Sequence, residues 1–147
     1  MPSEQPSQQA APRGTLATRT LAMPADANPS GDIFGGWVPS QMDIAGGITA
    51  AARAAGRVAT VAVDAMVFHK PVYVGDVLCT YADILRVGRT SIAIHIEAWA
   101  LRSRPLDRKG GERVKVTEGT FTLVAIDDAG RPRPVPPEDP ARAEPAA

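Results

Sequence analysis

The chain has 147 residues, 44% of them hydrophobic, and its 16 basic and 16 acidic side chains give a formal net charge of zero. That is enough for one domain with a real core, and the charge balance excludes a nucleic-acid binder that relies on bulk positive charge. The single cysteine, Cys79, excludes a disulfide framework and disfavours a zinc–cysteine site; in its apolar stretch it reads as a small buried hydrophobe.

Residues 1–13 are mostly Pro, Ser, Gln and Ala, and 131–147 carry six prolines. Both segments are expected to be disordered tails around a domain spanning 14–130, because they offer little to bury. No run approaches the roughly 18 apolar residues of a membrane span, and the N-terminus lacks the apolar stretch of a secretory signal. The expectation is a soluble cytoplasmic protein with no membrane or nucleic-acid partner.

The first predicted strand runs from Thr15 to Met23, and Pro24 ends it. Asp26-Ala27-Asn28-Pro29-Ser30-Gly31-Asp32 is dense in turn formers and reads as a loop. A helix is predicted over Gly36 to Ala55, with Pro39 tolerated in its first turn and Gly56 as its C-terminal cap. Gly46 and Gly47 each cost about 1 kcal/mol against alanine in a helix, which close approach of a sheet would offset. Four strands are predicted next, over Val58–His69, Val77–Val87, Thr90–Leu101 and Arg113–Ile126, with turns between them that suit antiparallel hairpins. One helix and five strands make an α+β domain, an antiparallel sheet wrapped around a helix buried along most of its surface.

Asp43 is the anomaly in that helix, since a buried carboxylate costs several kcal/mol unless it is paired. On pattern alone it can also sit on an exposed stripe beside Pro39, Ser40, Gly46 and Gly47. The preceding loop gathers Asn28, Gly31, Gly35 and Gly36 at the helix start, where bare backbone N–H groups and the helix dipole favour a developing oxyanion. A carboxylate, an amide and oxyanion donors are the parts of an acyl-transfer site; the plainer alternative is a capped turn.

The run RTLAMPADANPSGDIFGGWVPSQMDIAGG, with FHKPVYVGD and VGRTS further on, closely resembles the YciA-type acyl-CoA thioesterases over roughly residues 14–130. The resemblance implies a hotdog fold and hydrolysis of acyl-CoA to free acid and coenzyme A. Asp43 would serve as general base or nucleophile, Asn28 would position water or substrate, and Gly36 would offer its N–H to the thioester oxygen. The two side chains of one site would come from opposite protomers of a dimer whose sheets join edge to edge, with a trimer of dimers usual in the group. Neither a cofactor nor a metal is implied beyond the coenzyme A of the substrate. An ionised carboxylate can deprotonate water, or attack the thioester and give an anhydride; both routes stay open.

Substrate-binding candidates follow from the same resemblance. Gly35 lies beside the oxyanion position, and Thr60 lies near the acyl site unless it is only a strand former. His69 reads as structural, like His95, or would border the coenzyme entrance. Arg86, Gly88, Arg89, Thr90 and Ser91 form a hairpin tip near the nucleotide or pantetheine, with a solvated turn as the alternative. Lys115 is a further cation. Asp64 reads as surface or interface, His95 as structural, and Trp37 and Trp99 as packing residues. The rival functions are a hydroxyacyl-thioester dehydratase, which would want a histidine near the loop or helix, and a non-catalytic acyl-CoA-binding oligomer, which would need no Asp43.

Overall fold

The computed structural model describes residues 11–102 and 112–142; residues 1–10, the 103–111 loop and residues 143–147 lie outside them. The elements are β1 (Thr15–Leu21), α1 (Trp37–Ala54), β2 (Val58–Phe68), β3 (Val77–Val87), β4 (Ser91–Leu101) and β5 (Arg113–Ala125), with short 3-10 turns at Pro24–Asp26 and Pro140–Arg142. All five strands join one antiparallel sheet in the order β1-β3-β4-β5-β2. Only β3–β4 and β4–β5 are hairpins. The expected β2–β3 hairpin does not form, because β2 crosses to the far edge and pairs with β5.

The alternation in β4 decides which face meets the helix. Ile92, Ile94, Ile96 and Ala98 are fully buried with Phe121 and Leu123 of β5 and Met42, Ala45 and Ala50 of α1. Gly46 explains itself there: an added Cβ would lie 3.1 Å from Ile96 Cδ1 and 3.4 Å from Leu123 Cδ1. Gly47 has no such neighbour, so close approach offsets the cost of only one glycine. The helix ends one residue earlier than its predicted cap. Ala55, not Gly56, takes the left-handed conformation (φ 53°), and the Gly56 N–H reaches back to the Ala51 carbonyl.

The expected burial of α1 along most of its surface is wrong for a single chain. Asp43, Ile44, Ile48 and Ala52 are exposed, because one sheet covers only one side of a helix. The uncovered side carries Ile44 and Ile48, each 51% exposed, and beside it the edge strand β2 exposes Val61, Val63, Val67 and Phe68. A large apolar surface of this kind marks an interaction site.

On the sheet face away from α1, Glu97 is 5% exposed yet fully bonded. It accepts from Trp99 Nε1 and faces His95 Nε2, both at 3.0 Å; the Arg13 backbone N–H donates to it at 3.2 Å, and Lys115 Nζ lies 3.4 Å away. Burial pushes the Glu97 carboxyl up, but those bonds and the Lys115 charge together outweigh it and hold it below its ordinary value. Glu118 is also held low, first by its bond from Lys115. A depressed carboxyl stabilises the fold above its unfolded pKa of about 4.3 and loses that contribution as pH falls through the folded value. Acid titration of the melting temperature is therefore expected to show a decline below about pH 4.5 that Glu97→Gln flattens; an unchanged acid limb would remove Glu97 from the cause.

Candidate active site

The loop before α1 is a small closed structure. The Asn28 N–H donates to Asp32 O (2.6 Å), Ala27 bridges to Ile33, and Gly31 turns the chain at φ 88°. Asn28 Oδ1 accepts two backbone N–H groups, from Ser30 at 3.0 Å and Asp32 at 3.1 Å. Two donors aimed at one atom fix the amide orientation, since only the oxygen accepts. Nδ2 is thereby turned outward, and among the described residues it donates to nothing. The loop thus presents a held amide as a hydrogen-bond donor.

Gly36 is the N-cap of α1, with Gly35 before it. Neither donates its backbone N–H to another described residue, and a Cβ added at either would meet no atom within 4 Å. No acidic side chain lies in the first helical turn to compete for those donors. Bare N–H groups at the positive end of an 18-residue helix favour an oxygen that gains negative charge.

Asp43 stands on the uncovered side of α1. Thr60 Oγ1, on β2, donates to Asp43 Oδ1 at 2.6 Å. The bond crosses from helix to edge strand and leaves Oδ2 without a partner among the described residues. Within one chain no hydrogen bond joins Asp43 to Asn28. The structure brings Thr60 to Asp43 by a hydrogen bond and joins neither Asn28 nor Gly36 to it by one.

The remaining candidates divide. His69 donates its N–H to Val116 O at 2.7 Å, and its Nε2 lies 3.4 Å from Glu118 Oε2. His95 and Trp99 belong to the Glu97 network, and so does Lys115, paired with Glu118 and Glu97; that makes Lys115 unsuitable as a free cation for a phosphate. Trp37 packs against the core, Cys79 is buried, and Asp64 is exposed on β2. In the β3–β4 turn the Gly88 N–H donates to Ser91 O at 2.7 Å, while Arg86 and Arg89 are exposed and have no ion pair among the described residues. Among those residues no group of three or more His, Cys, Asp or Glu side chains could hold a metal, and no helix is long and apolar enough to cross a membrane.

Two features escaped the sequence reading. The exposed valines of β2 were signalled by VATVAVDAMVF, which is apolar on both faces instead of alternating, as a strand covered twice would be. Residues 131–141, expected to be a disordered tail, lie against the domain through Arg133, Val135 and Pro136.

A cavity of about 670 Å³ lies between β1, β3, the C-terminal half of α1 and Pro136–Asp139. None of Asp43, Thr60, Asn28 or Gly36 lines it.

Residues 30–105 match the thioesterase superfamily. Over 127 residues the chain is 54% identical to the acyl-CoA thioester hydrolase YciA of Salmonella typhimurium, covering 85% of this chain and 92% of that one. The crystal structure of a hexameric broad-specificity acyl-coenzyme A thioesterase matches with a TM-score of 0.82 at 50% identity, covering 90% of this chain and 88% of that one. A hexameric hotdog-fold thioesterase of Campylobacter jejuni matches with a TM-score of 0.78 at 36% identity, covering 84% and 91%.

Proposed function

This chain belongs to the thioesterase superfamily as a YciA-type acyl-CoA thioester hydrolase of the hotdog fold, and we propose that Asp43 is the carboxylate that drives its reaction. The observation that carries this reading is the Thr60–Asp43 bond, which holds one carboxylate oxygen and frees the other on an uncovered helix face. Oδ2 takes a proton from water as the water adds to the thioester carbon, or attacks that carbon itself. The C–S bond then breaks and the thiolate leaves and is protonated to coenzyme A; the first route gives the free acid directly, while the second leaves a mixed anhydride on Asp43 that water opens to the free acid and the regenerated carboxylate. Gly36 N–H binds the carbonyl oxygen as it gains charge, with Gly35 beside it. One such donor typically contributes about 3 to 4 kcal/mol to a transition state.

The same reading makes the active unit a dimer. β2 pairs with β2 of a second copy, its valines and Ile44 are covered, and the free Nδ2 of the partner's Asn28 faces the water or the thioester. A cleft closed in this way removes water from Asp43 and strengthens each polar contact inside it. Three dimers would then build a hexamer, the subunit number of the hexameric relatives. Arg86 and Arg89, with Thr90 and Ser91 beside Gly88, hold the phosphates of the coenzyme, and His69 borders the entrance. We place the protein in the cytoplasm, and the reaction needs neither cofactor nor metal.

Purified protein mixed with butyryl-CoA and a thiol reagent is expected to release free thiol; binding without release would support a non-catalytic acyl-CoA binder instead. Thr60→Val keeps the strand and removes the bond to Asp43. It is expected to lower kcat about tenfold with little change in KM; an unchanged kcat would show that the bond does not position the base.

A further inference from the structure

Beyond β5 the chain reads Gly130-Arg131-Pro132-Arg133-Pro134-Val135-Pro136-Pro137. We propose that this segment is a strap that positions the Arg86–Ser91 turn, with Arg133 as its anchor and the Val135 N–H as its contact. The inference rests on the reading that the turn holds the coenzyme phosphates.

Arg133 ties the strap to the end of β5 and to the end of α1. Its backbone N–H donates to Ala125 O at 2.9 Å, Nε to Ile126 O at 3.0 Å, and Nη2 to Ala54 O at 3.0 Å. The last bond puts a guanidinium on a terminal carbonyl of α1, where the helix dipole favours a cation. Gly56 leaves the room: a Cβ there would lie 2.6 Å from Arg133 Nη2. Arg53 grips the strap again, donating to Pro136 O at 2.6 Å. The prolines narrow the conformations open to the unfolded segment and keep the residues before them extended, so ordering it costs less than its composition implies.

From this anchorage the Val135 N–H donates to Arg89 O at 2.8 Å, while its side chain packs against the core. Next to it, the Ala125 N–H donates to Thr90 O at 2.9 Å. The backbone of the turn is thus held at two successive carbonyls by the chain just before the strap and by the strap itself. The guanidinium groups of Arg86 and Arg89 stay exposed and without ion pairs among the described residues. A fixed backbone beneath free cations is a preorganised anion site, because less freedom is lost when the anion arrives. Val135 and Arg133 are positioning residues that touch neither substrate nor the reacting atoms. Their loss changes affinity for the nucleotide end of acyl-CoA and leaves the chemistry at Asp43 alone.

The test compares Val135→Pro, which removes the N–H within a run already rich in proline, with Val135→Ala, which keeps the N–H and loses the same packing. Each is assayed on butyryl-CoA and on butyryl-pantetheine, which lacks the phosphates. Val135→Pro is expected to raise KM for butyryl-CoA about five- to tenfold over Val135→Ala, with kcat unchanged and with equal kcat/KM for the two variants on butyryl-pantetheine. Gly56→Ala, which displaces Arg133 and leaves the strap sequence untouched, is expected to shift KM in the same direction. Equal KM for Val135→Pro and Val135→Ala, or equal losses on both substrates, would overturn the strap. Arg89→Ala separates the two readings. If it weakens butyryl-CoA binding and Val135→Pro does not, only the strap fails; if Arg89→Ala leaves KM unchanged, the assignment of the turn fails first.

Discussion

Asp43→Ala is expected to lower kcat for acyl-CoA hydrolysis by about a thousandfold or more, with the fold intact. The size follows from the role. Without the carboxylate, the site loses the group proposed to take a proton from water or to attack the thioester. The fold survives because Asp43 contributes no core contact: it is exposed in the chain and bonded only to Thr60. Exposed substitutions of this kind change stability by about 0.5 kcal/mol or less. Asp43→Asn sharpens the test, since it keeps the shape and an oxygen for Thr60 but loses the base. Steady-state thiol release, read beside a thermal melt, checks both halves. Activity within tenfold of the unaltered protein in either variant would remove Asp43 from the reaction.

The second large effect lies in β2. Replacing Val61 and Val63 together with lysine is expected to dissociate the assembly and reduce activity by about a hundredfold or more. Each valine is about half exposed in the single chain and would be covered in the dimer. Two ammonium groups at the joint between sheets would have to be stripped of water with no partner, and natural edge strands use lysine to prevent this kind of pairing. The core is spared, because neither residue belongs to it. Sedimentation velocity should give a single-chain species with native circular dichroism. A fully active monomer would show that one chain builds its own site.

Much of this fold was written in local pattern. The four predicted strands after the helix and the turns between them lie where the structure has them, and Pro24 follows the end of the first strand as expected. Strand order was not legible, because β2 and β5 meet over a separation that no local signal spans. Asp43 stood out as a lone acid among small apolar residues, and of its two readings the exposed stripe is the one found in the chain; the expected burial of most of the helix failed, because apolarity all round a helix does not say that a single sheet covers all of it. The Asn28 loop could be read as a turn, but its outward Nδ2 depends on which atoms Ser30 and Asp32 bond. The C-terminal strap was hidden by its own composition, since proline-rich polar sequence is the mark of disorder, and its order comes from arginine bonds to distant carbonyls.

The most direct test of a site shared between chains mixes two inactive variants. Asn28→Ala and Asp43→Ala subunits are co-expressed with different tags in equal amounts. If each site takes its acid from one protomer and its amide from the other, about half the dimers are mixed, and each of these has one intact site and one doubly altered site. Thiol release should then return to about a quarter of the unaltered level. If both groups act within one chain, every site in the mixture carries a defect. Activity no higher than the average of the two variants alone would contradict the shared site.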